Sequence, residues 1–197
     1  MDRRKALQKS GLLVGLTITG GALSTIVQSC RAEDKLSWTP EFFSPIEARE
    51  ITSMIDVLLP KTETPGAIEL NVEVIVDRLM AQTLIPEDQA HVKEGLKAFM
   101  NHCKEEYGDA FAKLSTEDQK KALAELAQSS NTFNPSIWGL TIGEQPPIDF
   151  FRRLKQFALI GYFSSEEIGL NHLVYDPIPG SYEGCIPADE NTKVWTL

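Results

Sequence analysis

Between Ser44 and Leu173 the apolar residues recur every three or four positions, in runs that proline and glycine cut to the length of single helices. This rhythm restricts the chain to helix-on-helix packing more firmly than any other feature. Ser44-Pro45-Ile46-Glu47 reads as a helix start, with a capping serine, proline at the first helical position and a glutamate three residues past the cap. Ile51, Met54, Ile55 and Leu58 then share one face, until Pro60 ends the run and Lys61 to Gly66 turns the chain. A second helix is predicted over Ile68 to Thr83, with Val72, Ile75, Val76, Leu79 and Met80 inward. Pro86 opens a third, striped by Val92, Leu96, Phe99, Met100 and Cys103 and closed by Gly108. Ser115 to Asp118 caps a fourth, which carries Leu123, Leu126 and Ala127. After a loop from Ser129 to Gln145, Pro146-Pro147 precede a fifth helix with Phe150, Phe151, Leu154, Phe157 and Ala158, ending near Gly161. Ser164-Ser165 caps a short sixth around Ile168 to Leu173. No set of alternating strands appears. The expected fold is all-α, a bundle of five or six helices.

The rhythm fails after Leu173. Residues 174–197 hold three prolines, two glycines and no helical period, and form an irregular C-terminal arm. Tyr175, Asp176, Pro177, Pro179, Gly180 and Tyr182 mark it as a partner interface. Proline lowers the entropy lost on ordering, and tyrosine supplies amphipathic contact area. The same composition equally suits an arm folded back over its own bundle.

The N-terminus is a third kind of sequence. Arg3 and Arg4 precede an uncharged run from Gly11 to Val27, the order of a bacterial export signal of twin-arginine type. Val27-Gln28-Ser29-Cys30 has the form of a lipobox, which makes Cys30 the lipidated first residue of the mature chain. An uncleaved anchor is the other reading, although a membrane span needs about 20 apolar residues. The chain thus divides into a leader over 1–29, an anchor and tether over 30–43, a bundle over 44–173 and an arm over 174–197. The expected location is the periplasm, with a lipid anchor in a membrane.

The leader carries four of the 19 basic residues and one of the 28 acidic ones, which leaves a net charge of −12 on the 168 residues that follow. Such a surface repels nucleic acid and anionic lipid. With Cys30 lipidated, Cys103 and Cys185 remain for a disulfide with each other or with a partner chain. Cys103 also fits as a small buried apolar residue within its helix.

No phosphate loop, Cys-x-x-Cys pair, haem signature or His-Glu-x-x-His is present. His91 and His102 share one face of the third helix but stand roughly 16 Å apart along it, too far to hold one metal. Glu105-Glu106, Glu117-Asp118 and Glu166-Glu167 suit helix ends and exposed faces better than acid–base chemistry. Arg152-Arg153 suits either a partner's carboxylates or a solvated edge. No residue is nominated as catalytic, as a metal ligand or as a cofactor ligand.

Several segments together resemble the gluconate 2-dehydrogenase subunit 3 family, small subunits of membrane-bound flavoprotein dehydrogenases. They are the twin-arginine leader, Leu58 to Ala67, Gly161 to Gly169, and Tyr175 to Gly180 with Gly184-Cys185. The resemblance implies a non-catalytic subunit that assists folding and export of a large glucose-methanol-choline-type dehydrogenase. It places FAD in that large subunit, and a cytochrome c subunit downstream of it. On the residues alone, a self-sufficient periplasmic enzyme acting on a sugar derivative and a structural lipoprotein stay open.

Overall fold

The entry to the bundle is fixed by one carboxylate. Asp77 accepts backbone N–H groups from Glu41 (2.6 Å), Phe42 (3.1 Å) and Phe43 (2.9 Å), which pins the segment leading into the first helix. In this computed structural model the described residues are 36–131, 136–137, 140–141, 147–175, 178, 180, 185, 187, 189 and 192–195. The chain forms two compact units, Met1–Ser37 and Trp38–Leu197, and every helix below belongs to the second. The Asp77 bonds draw residues 41–43, which lead into the first helix, into that second unit.

Helix α1 spans Pro45–Leu58 and starts with both halves of a capping box. Glu47 N–H donates to the Ser44 hydroxyl at 3.3 Å, and Ser44 N–H donates to the Glu47 carboxylate at 2.8 Å. Lys93 adds its ammonium 2.6 Å from Glu47 and lies over the Phe42 and Phe43 rings. Burial works against ionisation of Glu47, yet the Lys93 and Ser44 bonds outweigh it and hold the carboxyl below its ordinary range.

The predicted second helix divides in two. Ile68–Leu70 is a 3-10 turn, and α2 runs over Val72–Thr83. Asn71 between them is left-handed, φ 54°, a conformation that asparagine tolerates better than most residues. Helix α3 covers Pro86–Tyr107 and ends on left-handed Gly108. Gln89 on α3 donates to the Met80 and Ala81 carbonyls, so the C-terminus of α2 is capped across the turn. A 3-10 turn at Phe111–Lys113 leads to α4, Thr116–Ser129, whose first turn is capped by the Ser115 hydroxyl.

A two-residue ribbon pairs β1, Ser136–Ile137, with β2, Leu140–Thr141, inside the region read as loop. Helix α5 spans Phe150–Phe163, two residues past the Gly161 at which the sequence predicts its end. Gly161 is an interior residue of close approach: a Cβ there would stand 3.2 Å from Val72 and 3.3 Å from Ile75 on α2. Helix α6 is short, Glu166–Asn171. Its N-cap is Ser165, but that hydroxyl donates to the Tyr162 carbonyl and caps nothing.

The core gathers Ile51, Met54 and Ile55 of α1, Val76 and Met80 of α2, and Leu96 and Phe99 of α3. Phe151, Leu154 and Phe157 of α5 and Phe111 of the second 3-10 turn complete it. Helix α5 has its broadest contact with α2, while α1 touches α2, α4 and α5. This is the all-α bundle that the apolar rhythm predicts, with six α-helices among the described residues.

The arm does not run straight out from the bundle. Val174 N–H donates to the Val194 carbonyl at 2.9 Å, and Val174 forms an isolated parallel bridge with Trp195. The two ends of the stretch therefore meet beyond α6.

Candidate functional site

Helices α3, α4 and the N-terminus of α5 surround a groove of about 520 Å³. Its floor is apolar: Ala98 and Phe99 of α3, Leu126 of α4, and Phe150 and Phe151 of α5. Sequence places Leu126 in the core, but it is only half-buried, because α4 touches α3 over a short stretch and leaves the cleft open. Gly95 sets how deeply α3 and α5 cross. A Cβ at Gly95 would stand 2.5 Å from the Phe150 Cβ, so the ring reaches the groove only because that side chain is absent.

The rim is acidic. Glu94, Glu125 and Asp149 line it together with His91, His102, Ser129 and Ser130, and no Lys or Arg stands among the described lining residues. Glu125 accepts a hydrogen bond from the Tyr107 hydroxyl at 3.0 Å and lies 3.7 Å from His102 Nε2. Lys121 approaches Glu125 from along α4 at 4.0 Å. Asp149 accepts the Asn131 N–H, tying the start of α5 to the end of α4. Glu94 has no hydrogen-bond or ion-pair partner among the described residues. His91 and His102 occupy the shared face that their spacing predicts, at separate positions along one wall.

A second constellation explains two of the stretches that carry the family resemblance. The Tyr162 hydroxyl, in the Gly161 to Gly169 stretch, donates to the Pro65 carbonyl at 3.0 Å and accepts from the Thr64 hydroxyl at 3.0 Å. Pro65 and Thr64 belong to the Leu58 to Ala67 turn, nearly a hundred residues earlier. Glu69 braces the same turn through Lys61 (2.6 Å) and the Gly66 N–H (3.0 Å). The Lys61 bond, then the Gly66 one, lowers the Glu69 carboxyl from its ordinary value. These motifs form a structural joint at one end of the bundle.

The arm residues separate into two groups. Tyr175 and Gly180 are exposed, whereas Asp176, Pro177, Pro179 and Tyr182 lie outside the described residues. Arg3, Arg4 and Cys30 lie outside them too. Cys103 and Cys185 are both free thiols, one buried and one exposed. Burial first, then the Glu50 and Glu125 charges, pushes the Cys103 thiol up to about 11, which suits a packing residue and not a nucleophile. Arg153 is committed within the chain: it lies 3.7 Å from Asp88 and over the Phe157 ring. Arg152 donates to the Asn131 carbonyl at 3.0 Å.

Three buried acids escape a reading of the sequence as exposed charge. Besides Asp77, Glu50 accepts the Ala112 N–H at 3.1 Å, and Glu73 is 3% exposed with one carboxylate oxygen unpartnered among the described residues. Burial raises both glutamates above the ordinary carboxylate range. Glu73 and Asp77 are four residues apart amid Val72, Val76 and Met80, and that register within the apolar stripe was the available signal.

Among the described residues no group of three or more His, Cys, Asp or Glu side chains is placed to hold a metal. No described helix is long and apolar enough to cross a membrane. The described residues thus form a helical bundle with an open, acid-rimmed apolar groove. The sequence model of the family "Gluconate 2-dehydrogenase subunit 3" matches residues 45–180, and the chain belongs to that family. It is thus a subunit of a dehydrogenase complex. No curated protein and no solved structure matches it.

Proposed function

We propose that this chain is the non-catalytic accessory subunit of an exported flavin-dependent sugar or sugar-acid dehydrogenase. The family match over residues 45–180 carries the reading. It would hold a large glucose-methanol-choline-type subunit, which contains the FAD and passes electrons towards a cytochrome c subunit. Binding is its whole mechanism: a partner that engages only the folded large subunit stabilises that fold by mass action. The twin-arginine leader at Arg3-Arg4 suits this role, since that route carries folded cargo and would take the complex to the periplasm. Lipidation of Cys30 then tethers it to a membrane.

Co-expression of the full chain and of a chain ending at Val174 with the large subunit tests this. The full chain is expected to co-purify with a flavin-containing partner, and the shortened chain to lose it while keeping its helical circular dichroism. Survival of the complex without residues 175–197 would remove the arm from the interface. Turnover of a sugar with an electron acceptor by the isolated full chain would overturn the accessory reading itself.

A further inference from the structure

The groove between α3, α4 and α5 has the form of a receptor for one helix. From His91 to His102 it follows α3 for eleven residues, roughly 16 Å or three helical turns. Three turns present apolar anchors at i, i+3 or i+4 and i+7, the set that helix-in-groove recognition uses. The floor offers matching apolar contacts in Ala98, Leu126, Phe99, Phe150 and Phe151.

Charge selects among occupants. Glu94, Glu125 and Asp149 lie along the rim, with no described Lys or Arg facing in. Glu94 is exposed and unpartnered among the described residues, so its charge is available to an incoming cation. An acidic helix would add repulsion along this rim, and a neutral one would leave Glu94 unmatched.

We infer that this groove seats an amphipathic helix of about three turns from the large subunit, with apolar anchors flanked by Lys or Arg. This rests on the accessory-subunit reading and adds the surface and the partner's chemistry to it.

The test uses full-length chain and large subunit, with affinity read by biolayer interferometry at two salt concentrations. Ala98→Trp fills the groove from an exposed helical position, and Glu94→Lys reverses the free rim charge. Ile46→Ser, an exposed apolar residue outside the groove, is the control. Circular dichroism checks that each variant folds. Ala98→Trp and Glu94→Lys are each expected to weaken binding about tenfold or more, with Glu94→Lys also flattening the salt dependence, while Ile46→Ser binds normally. Wild-type affinity in both groove variants would overturn the groove and leave the accessory role intact. Loss in Ala98→Trp alone would overturn the cationic partner. A wild-type chain that binds no large subunit would overturn both readings. A dimer of the chain alone that Ala98→Trp dissolves would give the groove to a second copy. Groove amides protected in the free chain and released on removing residues 132–146 would give it to the chain itself.

Discussion

Replacing Asp77 with alanine would cut residues 41–43 loose from α2. The carboxylate is 1% exposed and accepts three backbone N–H groups, through Oδ2 from Glu41 and through Oδ1 from Phe42 and Phe43. A hydrogen bond to a charged group contributes about 1.5–3 kcal/mol net. Glu41 is exposed, so its N–H can turn to water, and the other two bonds carry most of the loss. The expected cost is about 4 kcal/mol. A domain of this size loses about 2–4 °C per kcal/mol, so Tm should fall by roughly 10 °C. Asp77→Asn keeps an oxygen on Phe42 and Phe43 but sets an amide nitrogen against the Glu41 N–H, for about half the cost. Urea and thermal unfolding measure both variants, and hydrogen exchange should show amides 41–43 deprotected while α1 stays closed. An alanine variant within 1 kcal/mol of the parent, or an asparagine variant equally damaging, would refute the reasoning.

Glu73→Gln should give a pH-dependent gain. Burial raises this carboxyl in the folded state, so folding favours its protonated form, and stability falls as pH climbs from the unfolded value of about 4.3 through the raised one. The variant should exceed the parent by about 1 kcal/mol at neutral pH and converge with it below about pH 4; parallel profiles would count against it. Glu50, raised in the same direction, keeps part of the slope in both proteins. Gly95→Ala should destabilise by about 2 kcal/mol despite alanine's better helix propensity, because its methyl meets Phe150 Cβ at 2.5 Å. A more stable Gly95→Ala variant would show that the crossing yields easily. A thiol reagent at about pH 8 should label Cys185 in the folded chain and reach Cys103 only on unfolding, as mass spectrometry of the peptides would report.

Helix faces were legible because burial and period express the same constraint. Ile51, Met54 and Ile55, then Val92, Leu96, Phe99 and Cys103, all fall where their spacing puts them. Gly161 misled because glycine ends helices as readily as it lets two helices touch, and only α2 across from it decides which. Asn71 was silent for a similar reason: its left-handed turn shows in the backbone and not in any apolar interval. The groove was half visible, since His91 and His102 already shared a face. The other wall comes from Leu126 and Phe150, whose distance from α3 depends on how far α4 stands off, and pairwise spacing along one helix carries no such information.

The clasp between Val174 and Trp195 closes the chain between them into a loop. While residues 175–193 are continuous, that contact is intramolecular and held at a high effective concentration. A single proteolytic cut between them turns it into an encounter of two separate pieces, which dilution disperses. One nick in that stretch would therefore be enough to free the Trp195 end from Val174.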